Sequence, residues 1–146
     1  MKPLLVIFSV LMLLCSCASQ PDDGLRCGIV SGYLDPKPSQ GLYRAIVTHL
    51  DGKPVISKPN YWLSTGEHTF TFAELINAPS LKVKLAARTP KDLVIKVEAN
   101  RRYHFAAKFN TDKRYRGNDS GFWQPVIWLE EGQECELPIK SSVTNG

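Results

Sequence analysis

The chain has 146 residues, with 18 Lys and Arg against 14 Asp and Glu and a formal charge of +4. That length makes one domain and leaves little room for a second. The basic excess is mild, unlike the strong, clustered excess of nucleic-acid binders, so no nucleic-acid partner is expected.

The first element is a leader. Lys2 supplies a positive charge, Leu4 to Leu14 form an apolar run broken only by Ser9, and small residues follow. The run of about eleven residues falls well short of the roughly 20 that span a bilayer as a helix. With its basic start and small-residue end it has the profile of a secretory signal peptide, not of a buried N-terminal helix. Leu14-Cys15-Ser16-Cys17 resembles the lipobox of bacterial lipoproteins, in which an aliphatic residue and two small residues precede an invariant cysteine. Cys17 fits the modified position, since taking Cys15 would put Leu14 at a cleavage site that needs a small side chain. Cys15 itself departs from the Ser, Ala or Thr usual in its slot. The resemblance implies cleavage after residue 16, diacylglyceryl attachment to the Cys17 sulfur, and acylation (a palmitate-type chain) of the new amine. One acyl chain is a marginal anchor; two or three hold a domain on a membrane without a spanning helix. Ala18 follows, in place of the Asp that marks inner-membrane retention, which implies the outer membrane, by default on the periplasmic side, with exposure at the cell surface the alternative.

Residues 1–16 are thus read as signal peptide, 17–25 as a tether, 26–140 as the folded domain and 141–146 as a flexible tail. Cys15 leaves with the leader and Cys17 carries lipid, so Cys27 and Cys135 remain. In an oxidising periplasm such a pair bonds, and the alternative is two separate buried thiols. Neither lies in a CxxC or near a histidine, so no metal site is expected.

The domain reads as short alternating strands between turn residues. Leu42 to Leu50 closes at Asp51-Gly52, a hairpin signal, and Lys53 to Ser57 follows. Tyr61 to Ser64 comes next, then a turn at Thr65-Gly66. Glu67 to Phe72 sets His68, Phe70 and Phe72 on one face, a period of two. Glu74 to Ala78 reads as a single helical turn stopped by Pro79. Leu81, Val83 and Leu85 alternate with Lys82 and Lys84; Leu93, Ile95 and Val97 alternate with Lys96 and Glu98; Tyr103, Phe105, Ala107 and Phe109 continue the pattern. Trp123 to Leu129 is apolar on both faces, with Pro125 pointing to an edge or a bulge. Glu130 to Gln133 reads as a turn into a last strand, Cys135 to Ile139. The fold expected is all-β: a single antiparallel β-sandwich of about eight strands, immunoglobulin-like or transthyretin-like. The strand ending in Asp51-Gly52-Lys53 and the later Ser64-Thr65-Gly66-Glu67-His68 resemble the turns of PEGA-like β-sandwich modules of bacterial lipoproteins. That resemblance implies a sandwich and an accessory role, and carries no catalytic residues.

His49, His68 and His104 are dispersed. His68 shares a face with Phe70 and Phe72 and is expected buried or half-buried; His104 alternates away from Tyr103 and Phe105, toward solvent or a second layer. No GxSxG, Cys–His pair, paired carboxylates or glycine-rich phosphate cradle occurs, so neither catalysis nor a cofactor is expected. The segment most open to a functional reading is Phe109 to Trp123. Lys113, Arg114 and Arg116 surround Tyr115, and Trp123 closes the stretch. Arginine forks grip carboxylate and phosphate, and aromatic faces stack on sugars. The alternative is a solvated connection, with Phe122 and Trp123 entering the core. The function expected is a lipid-anchored envelope accessory protein that binds or scaffolds an envelope complex. An anionic-glycan or other ligand-binding role for the Lys113–Trp123 loop is the first alternative, an enzyme of unrecognised type the second.

Overall fold

The computed structural model describes residues 26–138. Cys17, the tether before residue 26 and the tail after residue 140 lie outside the described residues. In chain order the strands are β1 (Cys27–Ser31), β2 (Leu42–Tyr43), β3 (Ala45–Leu50), β4 (Lys53–Pro54), β5 (Asn60–Ser64) and β6 (Gly66–Glu74). There follow β7 (Lys82–Val83), β8 (Lys91–Val97), β9 (Arg101–Phe109), β10 (Arg116–Gly117) and β11 (Trp123–Gly132). One sheet has the order β11-β9-β1-β5, with β2 beside β9; the other runs β4-β3-β6-β8. β7 and β10 form a two-stranded ribbon of their own.

The two larger sheets pack face to face, as the alternation requires. Phe70 and Phe72 of β6, Ile95 and Val97 of β8, and Tyr103, Phe105 and Ala107 of β9 all enter one core. Phe72 meets Phe105 across the layers at 4.7 Å between ring centroids, and Tyr61 meets Phe70 at 5.7 Å. Each such side chain contributes about 1.5–3 kcal/mol by leaving water. The hairpin at Asp51-Gly52 forms with φ of 50° and 78°, the left-handed pair that a two-residue turn needs to match strand twist. Asp51 also ties the hairpin down: one oxygen accepts the Thr69 N–H and the other lies 2.8 Å from His68 Nδ1. His68 is half-buried, as expected.

Pairing is antiparallel except between β1 and β9 and between β7 and β10. Strand β1 is a central strand that alternation does not reveal, because all five of its residues are buried. It lies so close to its neighbours that a Cβ at Gly28 would come within 2.6 Å of the Glu98 carbonyl oxygen. Cys27 at its start is bonded to Cys135, Cα atoms 5.4 Å apart across a separation of 108 residues. Closing so long a loop removes denatured-state entropy worth up to about 4.7 kcal/mol in the chain-entropy model.

Several expected elements differ. No helical turn follows Glu74: the Leu75 N–H donates to the Arg44 carbonyl and so prolongs the β3–β6 pairing, and the Ile76 N–H is held by the Glu74 carboxylate. The expected strand Leu81 to Leu85 shrinks to β7 and then a 3-10 turn at Leu85–Ala87, which leaves Leu85 84 % exposed. The strand from Lys53 stops at Pro54, where the chain leaves to cross to β5 in the other sheet. Glu130 to Gly132 is strand, not turn, because β9 reaches back to Arg101 and offers partners that far. After it, Cys135 to Pro138 forms no strand and pairs only through a single bridge, Arg26 to Glu136. Pro125 does sit on an edge strand, and the bulge falls between Ile127 and Leu129.

Candidate functional site

Two long excursions leave the sandwich at the same end. One departs from β6 at Glu74 and returns at Lys91; the other departs from β9 at Phe109 and returns at Trp123. They meet in the β7–β10 ribbon, where Lys82 is the register partner of Arg116 and Val83 of Gly117. The Lys84 N–H donates to the Gly117 carbonyl at 2.8 Å and prolongs the pairing. Gly117 takes φ of 60°, which turns the second excursion after Arg116.

Polar contacts brace the second excursion from within. Asp119 Oδ1 accepts the Gly121 N–H at 2.9 Å, and Oδ2 lies 3.2 Å from the Lys113 ammonium. The Gly121 amide and Lys113 together hold the Asp119 carboxyl below its ordinary range. The Tyr115 hydroxyl donates to Asp112, which raises the phenol to about 12. Lys91 donates to the carbonyls of Ser120 and Trp123 at 2.8 and 2.7 Å, so it is spent on the loop base.

What remains outside is cationic. Lys82, Lys84, Lys113, Arg114 and Arg116 are all exposed. Among the described residues only Lys113 of these five forms an ion pair. Lys82 and Arg116 are register partners in the parallel β7–β10 pair, so two like charges sit together there with no carboxylate among the described residues paired to either. Beside it opens a cleft of about 180 Å³, lined by Leu81, Phe109, Asn110, Lys113, Arg114 and Tyr115. Two more shallow clefts of about 240 and 250 Å³, sharing Arg44 and Leu75, open at the same end. Apolar walls next to forked and point cations suit a ligand with sugar-like faces and anionic groups.

Of the residues singled out in the sequence, Lys113, Arg114 and Arg116 therefore stand together at the surface. Tyr115 is 8 % exposed and offers little more than an edge. Trp123 is 1 % exposed, packs in the core and presents no face to a ligand. The sequence reading missed Lys82 and Lys84, whose alternation with Leu81 and Val83 was the available signal.

A second cationic cluster lies on the outer face of the β11-β9-β1-β5 sheet. Of the two positions expected for His104, solvent or a second layer, it takes the covered one: it is 1 % exposed, between Tyr33 at 5.5 Å and Trp128 at 6.1 Å. Its Nε2 lies 3.0 Å from Glu131 Oε1, which also accepts from Arg102 at 3.4 Å, and Arg101 pairs with Glu130 at 2.9 Å. The His104 contact, with Arg102 behind it, holds the Glu131 carboxyl below its ordinary range. Here every cation has its carboxylate.

Among the described residues no three His, Cys, Asp or Glu side chains gather as metal ligands, and no helix is long and apolar enough to cross a membrane. No protein-family model, curated protein or solved structure matches the chain.

Proposed function

We propose that this chain is a lipid-anchored accessory protein of the bacterial envelope, held on the outer membrane through Cys17 and acting by binding, without catalysis. The observation that carries the reading is the Cys27–Cys135 bond. A disulfide of this kind persists in an oxidising compartment, and the leader with its lipobox addresses the chain to one. Two unrelated features, one in the leader and one in the domain, thus call for the same location. The exposed ribbon of Lys82, Lys84, Lys113, Arg114 and Arg116 favours anionic envelope material as the binding partner over a protein scaffold role.

The test uses the full chain in a diderm bacterium. Cys17→Ser should abolish acylation and release the protein from the membrane fraction. Arg114→Ala with Arg116→Ala should weaken retention on purified anionic envelope polymer, with an unchanged urea midpoint. A Cys17→Ser chain still trimmed and membrane-bound removes the anchor, and undiminished retention removes the site.

A further inference from the structure

The charges of the sandwich are sorted along its strands. β1 and β9 run the same way, with β5 and β11 against them, and β6 and β8 continue that alternation in the second sheet. Residues near 26, 50–54, 64–67, 96–102 and 130–136 therefore gather at the Cys27 end. Residues near 32–44, 55–59, 74–92 and 108–122 gather at the opposite end. The Cys27 end carries five Lys and Arg against seven Asp and Glu, whereas the far end carries eleven against five. The ribbon belongs to the far end.

The anchor is attached at the other one. Cys27 follows Cys17 by ten residues, which reach at most about 36 Å. Strand β9 alone has nine residues, a length of about 30 Å along the sandwich. Turning the ribbon down onto the anchoring bilayer would take nearly all of that reach. Leaving the ribbon outward costs no such extension, and the acidic Cys27 end then faces the membrane.

We propose that the sandwich is an oriented charge dipole, whose basic end points away from the bilayer that holds it and captures an extended anionic glycan of the envelope. The proposal rests on the readings that Cys17 is acylated and that the ribbon binds anions. An extended polymer is favoured over a compact ligand because the cations are spread along the ribbon, one shallow cleft beside them and two more at the same end, with no single deep pocket among the cavities described.

The test compares two forms of the full mature chain: the acylated protein in vesicles of phosphatidylethanolamine and phosphatidylglycerol, and the soluble Cys17→Ser protein. Polygalacturonate, a carboxylate glycan, serves as the probe. The expected result is capture of comparable affinity by both forms, weakened about tenfold or more in both by Lys82→Glu with Arg116→Glu and suppressed by high salt. Capture by the soluble form but not by the vesicle-held form overturns the orientation and leaves the ribbon reading standing. Capture by neither form overturns both.

Discussion

The two cationic clusters of this sandwich differ in how their charges are answered. On the outer face of the β11-β9-β1-β5 sheet, Arg101, Arg102 and His104 each face a carboxylate from β11, Glu130 or Glu131, and the imidazole is sealed under aromatic rings. At the far end, Lys82 and Arg116 face each other, and the nearby carboxylates Asp112 and Asp119 are already occupied by Tyr115, Gly121 and Lys113. A cluster balanced inside the chain serves the fold. A cluster left unbalanced, at a site where like charges oppose pairing, is available to something outside the chain.

The comparison sharpens most at Arg88, a far-end cation answered by a buried carboxylate. Its guanidinium forks onto the Glu74 carboxylate at 2.6 and 2.7 Å and reaches the Ile76 carbonyl at 2.7 Å. The Glu74 side chain is only 2 % exposed and also takes the Ile76 N–H. Removing one partner of a buried pair strands the other, so Glu74→Ala should cost about 3 kcal/mol in urea unfolding. A loss near zero would mean that the pair does not pin the first excursion, and that answered and unanswered cations are alike in their service to the fold.

The next effect separates the clusters by pH. Glu131 is held below its ordinary value by His104 first and Arg102 second. A depressed carboxyl contributes stability that is fully present above its unfolded value, near 4.5, and is lost as pH falls through the lower folded value. Glu131→Gln should therefore unfold at lower urea than the parent chain near neutral pH, and the gap should close as acidification carries the carboxyl through its lowered folded value. A gap that does not change with pH would show that the site uses the shape of the side chain and not its charge.

How far these features were legible in the sequence follows from the range over which each signal acts. Alternation is local, so β6, β8 and the Phe105 face of β9 could be read directly, and Asp51-Gly52 marked its own turn. Once Cys15 and Cys17 are assigned to the leader and its lipobox, two cysteines leave one pairing, so Cys27–Cys135 was legible from arithmetic. Strand β1 was not, because a strand buried on both faces has no alternation to show. His104 followed the expected outer-face parity, but its burial depends on Tyr33 and on the bulge that presents Trp128, neither visible as a local pattern. The candidate site was half legible. Lys113, Arg114 and Arg116 announce themselves as a run, while Lys82 and Lys84 join them only through a pairing between segments more than thirty residues apart.

The smallest expected effect bears most directly on what the ribbon is for. If Lys82 and Arg116 served the fold, replacing both with Gln would destabilise it. Their register places two like charges opposite each other, so Lys82→Gln with Arg116→Gln should leave stability unchanged or raise it by about 0.5 kcal/mol. Any gain should fade at high salt, where the repulsion is already screened. The matching double change at the answered cluster, Arg101→Gln with Arg102→Gln, should lower stability slightly in the same assay, because it removes the partner of Glu130 and leaves Glu131 with His104 alone. Opposite signs for the two variants would follow from one cause, whether the neutralising charge lies within the chain or must come from a ligand. If both variants lose stability alike, the ribbon is structural and the anionic partner has no support from the fold.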